Sequence, residues 1–144
     1  MKNLILFLIL LLVFRTNGLS QPFTDSNLPV VVINTDGGAY IPDEPRVRAN
    51  MKIIYRGPGE RNYLTDINNT LYLNYNGRIN IEVRGSSSQS LDKKAYGLTT
   101  LLDDDLTEYD VGILGMPREH DWVLNALNFE PSCIRDYLCY NLSR

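Results

Sequence analysis

The residues best suited to chemistry fall in one run, Arg84-Gly85-Ser86-Ser87-Ser88-Gln89, with Lys93-Lys94 close behind. Hydroxyls, an amide, a guanidinium and two ammonium groups in one short stretch suit an anion. Its oxygens are met by backbone N–H groups and hydroxyls, and its charge by the cations. A plain polar loop beside two solvated lysines has the same composition.

The other reactive groups make weaker sites. Asp103-Asp104-Asp105 lacks the alternate carboxylate spacing and turn glycine of a calcium loop, so it is expected to be solvated. Arg56-Gly57-Pro58-Gly59 has no third glycine in register, and Pro58 lacks an N–H, so it is expected to be a turn and not a phosphate cradle. A hydrolase triad of Ser87, His120 and Asp121 fails at the nucleophile elbow, because Gln89 stands where the second glycine is needed. Cys133 and Cys139 lie six apart in a helical pattern. That is a rise of about 9 Å, beyond the roughly 7 Å that a disulfide spans between Cα atoms. Two thiols are therefore expected, and one histidine without a CxxC pair offers no metal site.

The elements that must carry the serine run are strands. Ile79, Ile81 and Val83 alternate with Asn80, Glu82 and Arg84, the period of a half-buried strand. Lys93-Lys94 lead into Tyr96 and Leu98, a second strand. Earlier, Val30 to Ile33 and the alternation through Val47, Ala49, Met51 and Ile53 predict two more, separated by Asp36-Gly37-Gly38 and by the prolines of 41–45, which exclude central sheet. Leu71, Leu73 and Tyr75 predict another strand, and Asn76-Gly77 a hairpin turning it into the Arg78 strand. A meander of antiparallel strands results. Ile113 to Pro117 is expected to pack on the sheet, and Trp122-Val123-Leu124 to be a short buried run whose indole fixes the loop bearing His120. A last helix is expected from Pro131-Ser132, with Ile134, Tyr137, Leu138 and Leu142 as its apolar stripe.

Residues 1–20 read as an export signal: Lys2, unbroken hydrocarbon from Leu4 to Phe14, then Gly18-Leu19-Ser20. As helix the apolar run is roughly 16 Å long against about 30 Å of bilayer core, too short to span. Cleavage after Ser20 predicts a secreted or cell-envelope protein with no membrane span, a polar linker at 21–28 and one domain over 29–144. It removes Lys2 and Arg15 and no acid, so the net charge moves from −3 to about −5. That acidic balance argues against nucleic acid as a partner.

Together these residues resemble the CotH kinase family, the spore coat protein H-like proteins. The likeness rests on Arg84 to Gln89 with Lys93-Lys94-x-Tyr96-Gly97, on Ile113 to Pro117 through Asp121-Trp122-Val123-Leu124, and on Arg135-x-x-Leu138-x-Tyr140-x-Leu142-x-Arg144. It covers roughly Pro29 to Arg144. It departs at Asp92, where the family has proline, and at Cys139, where it has alanine.

The resemblance implies an α+β fold: the antiparallel, β-rich N-terminal lobe of an atypical kinase-like domain with a C-terminal helix, present as an incomplete domain. It implies ATP and a divalent metal (Mg or Mn) as cofactors and a secreted protein as substrate. Arg84, Ser87, Gln89, Lys93 and Lys94 become the nucleotide-binding candidates. Lys94 is favoured over Lys93 because it shares a strand face with Tyr96 and Leu98. The family's metal and catalytic carboxylates lie beyond the last helix, so this chain alone is expected to hold no catalytic or metal residue and to be inactive without a C-terminal lobe or completing chain. An exported β-rich binding or envelope module without catalysis is the other expectation.

Overall fold

The computed structural model describes residues 21–127 and 134–142; the expected export signal, Cys133 and the expected helix start at Pro131-Ser132 lie outside them. Its seven strands are β1 (Asp25–Ser26), β2 (Val30–Thr35), β3 (Val47–Ile54), β4 (Asn62–Tyr63), β5 (Leu73–Arg84), β6 (Ala95–Leu101) and β7 (Asp121–Leu124), followed by a helix, α1 (Arg135–Leu142). Five strands form one antiparallel sheet in the order β2-β3-β5-β6-β7. The polar segment expected to be linker contributes β1, which pairs with β4 in a separate two-stranded ribbon.

Alternation decides the faces. Ala49, Met51 and Ile53 of β3, Tyr75, Ile79 and Ile81 of β5 and Leu98 of β6 are buried in one cluster, and Ile113 joins them from the connection between β6 and β7. Ile33, Ile41, Val111, Leu114, Trp122 and Leu124 pack around its margin. Loops thus cover one face of the sheet, while Arg48, Asn80, Glu82 and Arg84 alternate onto the other.

The hairpin expected at Asn76-Gly77 does not exist. β5 runs unbroken for 12 residues through both. Lys52 pairs with Asn76, Met51 with Gly77, and β3 serves both halves of the long strand. A two-residue turn would set Tyr75 opposite Arg78 and leave Ile79, Ile81 and Val83 on the face away from Tyr75. Straight through, Tyr75, Gly77, Ile79, Ile81 and Val83 all stay in phase, and the buried row outweighs a local turn preference.

Two smaller expectations are also corrected. Leu71 is 84% exposed on a turn before β5. Val123 is half exposed, because in β7 only Trp122 and Leu124 alternate inward. The Trp122 indole does fix the turn before it, donating to the Glu119 carbonyl at 3.1 Å. Ile134, just before α1, and Leu138 in it are about half exposed and Leu142 is 84% exposed, so these members of the stripe are not sealed against the sheet. Cys139 is a free, exposed thiol.

Candidate functional site

The serine run is the loop at the open end of the β5–β6 hairpin, whose last pair is Arg84 with Ala95. Gly85 turns the chain out of β5 at φ 100°, a conformation that favours glycine. A single 3₁₀ turn, Ser87–Ser90, follows, with the Gln89 N–H donating to the Ser86 carbonyl at 3.4 Å.

Lys94 closes the loop: its ammonium donates to the carbonyls of Gln89 and Leu91. The favoured lysine therefore spends two of its three donors on its own loop. Lys93 is exposed beside it, as is Arg84 at the end of β5. The structure thus brings Arg84, Gln89, Lys93 and Lys94 to one end of one hairpin, with the Ser87 backbone in the turn between them. The Ser87 side chain lies outside what is described.

Arg84 also borders a groove of about 300 Å³ on the charged face of the sheet, lined by Arg46, Glu82, Gly97, Asp121 and Val123 among others. Arg46 organises it. Its guanidinium lies 3.0 Å from Glu82 Oε1 and 3.7 Å from Asp121 Oδ1 and also donates to Thr99 Oγ1. The Thr99 hydroxyl donates onward to Asp121 Oδ1 at 2.6 Å. Gly97 is the floor: a Cβ there would meet Glu82 Oε1 at 3.6 Å and the Arg46 guanidinium at 3.9 Å. Arg46 is thus neutralised by acids on two strands, while the exposed Arg84 stands at the boundary of groove and loop. A guanidinium suits a phosphate or carboxylate.

Neither Arg46 nor Glu82 stood out in the sequence as a functional residue, and Asp121 did so only as a member of a hydrolase triad and of the CotH-like motif. They come from three separate segments, and only strand register joins them. A second missed cluster surrounds His120, whose Nδ1 lies 2.7 Å from Asp110 Oδ1 and whose Nε2 lies 3.3 Å from Glu108 Oε2. The Asp110 hydrogen bond, offset in part by desolvation and helped by Glu108 and Asp121, raises its pKa. With a carboxylate at each ring nitrogen, His120 has no lone pair directed at a serine, which removes the triad already disfavoured by Gln89. The aspartate run is structural: Asp104 accepts from the Leu106 and Thr107 N–H groups and the Thr107 hydroxyl, and Asp105 pairs with Arg78.

Residues 81–144 match the protein-family model described as CotH kinase protein. Over that stretch the chain is similar to CotH kinase proteins. No curated protein and no solved structure matches the chain. The CotH stretch begins inside β5 and takes in the serine loop, β6, β7 and α1, so Glu82, Arg84, Gly97 and Asp121 of the groove belong to it while Arg46 precedes it. For the ATP that the family implies, the exposed Arg84 and the polar loop offer donors of the type that phosphate oxygens need. For the metal the fit fails: among the described residues no three His, Cys, Asp or Glu side chains are grouped to hold one.

Proposed function

We propose that this chain is the exported N-terminal portion of a CotH-like atypical protein kinase, with its sheet as the nucleotide-facing lobe. Its β5–β6 hairpin would present the serine loop to the phosphates of ATP. The observation that carries this reading is the family match over 81–144, which starts inside β5 and holds the whole hairpin end. In it Arg84 and Lys93 pair with phosphate oxygens, the turn N–H groups at Ser87 and Ser88 orient them, and Lys94 keeps the loop in shape. ATP supplies the phosphoryl group. The carboxylates that hold metal and direct the acceptor hydroxyl are not supplied by the described residues, so the chain binds nucleotide without transferring phosphate. Cleavage after Ser20, a secreted or envelope location and a secreted protein substrate complete the proposal, with a C-terminal lobe or a second chain to finish the site. Among the described residues no helix is long and apolar enough to cross a membrane.

A second reading, an exported β-rich binding or envelope module without catalysis, is favoured by one observation. The Lys94 ammonium is already engaged by two carbonyls of its own loop. Calorimetric titration with ATP and magnesium or manganese separates the two. The kinase reading expects weak binding, roughly millimolar or about −4 kcal/mol, lost in Arg84→Ala, with no phosphate transfer to any protein. Binding unchanged in Arg84→Ala and Lys93→Ala, or no binding at all, supports the module. Sustained transfer lost in Lys94→Ala means that the active site is elsewhere than the missing carboxylates imply.

A further inference from the structure

Between β6 and β7 the chain makes a long excursion, and its first limb, residues 102–110, turns back to bridge the end of β6, Glu108 opposite Leu101. Few contacts hold that limb. The Leu102 N–H donates to the Thr107 carbonyl, and the Tyr109 N–H to the Thr100 carbonyl at 2.9 Å. The Thr100 hydroxyl donates to the Tyr109 carbonyl at 2.6 Å. The rest comes from side chains: Arg78 holds Asp105 from β5, His120 holds Glu108 and Asp110 from the threshold of β7, and Arg118 reaches the Asp110 carbonyl and the Tyr109 ring. Leu106 on the limb is 78% exposed and Tyr109 44%, so apolar burial contributes little. Beneath it lies a cavity of about 230 Å³ whose walls include Tyr75, Leu101, Asp103 and Tyr109.

We propose that residues 102–110 form a pH-sensitive flap, latched to the sheet by the doubly protonated ring of His120 and loosened when that ring loses a proton. A neutral imidazole has one N–H and can donate on one side only, whereas two carboxylates face this ring from opposite sides. Asp121 Oδ2 adds a third at 3.9 Å from Nε2. The cations nearby are committed elsewhere. Arg118 donates to the Asp110 carbonyl at 2.7 Å and leans over Tyr109, and Arg46 lies 3.7 Å from Asp121. Deprotonation leaves Glu108, Asp110 and Asp121 facing a ring that can satisfy only one of them. Arg78 still tethers the limb through Asp105, and the core, in which Ile113 is buried, takes no part in the latch.

The direction follows from linkage. The folded pKa of His120 is raised, so its contribution is fully present below the unfolded value of about 6.5 and is lost as pH rises through the folded value. Carboxylates as a class titrate near 4 and guanidiniums above 12, so imidazole is the side chain of this cluster that changes charge near neutrality.

His120 is the chain's single histidine, so its ring titration is read without assignment ambiguity. The experiment follows that titration by NMR in the full chain, together with amide hydrogen exchange corrected for intrinsic rates. The ring is expected to titrate above 6.5. Protection of the Leu102 and Tyr109 amides should fall across the same range, tenfold for each unit of the measured shift, while the Ile81 amide in β5 keeps its protection. Asp110→Asn should bring the ring back toward 6.5 and flatten the fall. A ring titrating at or below 6.5, flat protection across its titration, or a fall that persists in His120→Gln would overturn the proposal.

Discussion

Replacing Gly77 with alanine tests the unbroken β5 strand directly. An alanine Cβ at this position would lie 2.8 Å from Tyr75 Oη and 3.0 Å from its Cζ, because residues two apart share a strand face and the ring lies over the glycine. The ring has little freedom to move. It is 8% exposed, and its hydroxyl donates to the Arg78 carbonyl at 3.0 Å. Burial pushes the phenol up to about 12, so it stays a donor at any ordinary pH.

Overpacking of this kind costs about 1–3 kcal/mol. The loss of glycine's backbone freedom returns about 0.5–1 kcal/mol, leaving a net destabilisation of about 1–2 kcal/mol. In a domain of this size the melting midpoint falls about 4 °C for each kcal/mol. Urea unfolding of Gly77→Ala, Tyr75→Leu and the double variant separates the causes. If Tyr75 is the obstacle, the alanine is nearly free in the leucine background, and the coupling is about 1 kcal/mol or more. A hairpin at Asn76-Gly77 would instead need positive φ at the glycine, and alanine would be costly whatever stands at position 75. Equal cost in both backgrounds would refute the continuous strand.

Two other predictions follow, one from a particular contact and one from the N-terminal sequence. The Arg78 fork on Asp36, at 2.9 and 2.6 Å, holds that carboxyl below its ordinary value of about 3.9. The stability it lends is present above that value and lost as pH falls through the depressed one. In Arg78→Ala the Asp36 carboxyl should titrate at higher pH than in the parent protein, and acid unfolding should begin at higher pH; NMR of the carboxyl carbon measures the first, and an unchanged titration would show that Arg78 is not the cause. Export predicts a mature N-terminus at Gln21, read by mass spectrometry of secreted material; an intact Met1 on exported protein would remove the signal.

How far the sequence carried depended on the range of the signal. Alternation through Val47, Ala49, Met51 and Ile53 and through Ile79, Ile81 and Val83 placed two central strands and their buried faces, because the pleat forces side chains to opposite sides at every step. The serine run and the Lys93-Lys94 pair carried the CotH resemblance that the family match supports over 81–144. The same strict alternation also held the answer at Gly77, since Tyr75 and Ile79 are in phase across it. A strong two-residue turn signal masked it.

The meander order was legible in the sequence; what the tertiary structure alone decided was the register between neighbouring strands. Arg46 meets Glu82 and Asp121 only because β3, β5, β6 and β7 pair in the register they do, and no local pattern records it. Likewise, two lysines adjacent in sequence part company once folded. Lys94 is drawn to the carbonyls of its own loop and Lys93 is left exposed, because a tight turn with unpaired carbonyls claims the nearest ammonium. The chain by itself therefore determined faces, turns and chemical types. Register and the competition for each charge were settled by the burial of the whole sheet, a sum over contacts far apart in sequence.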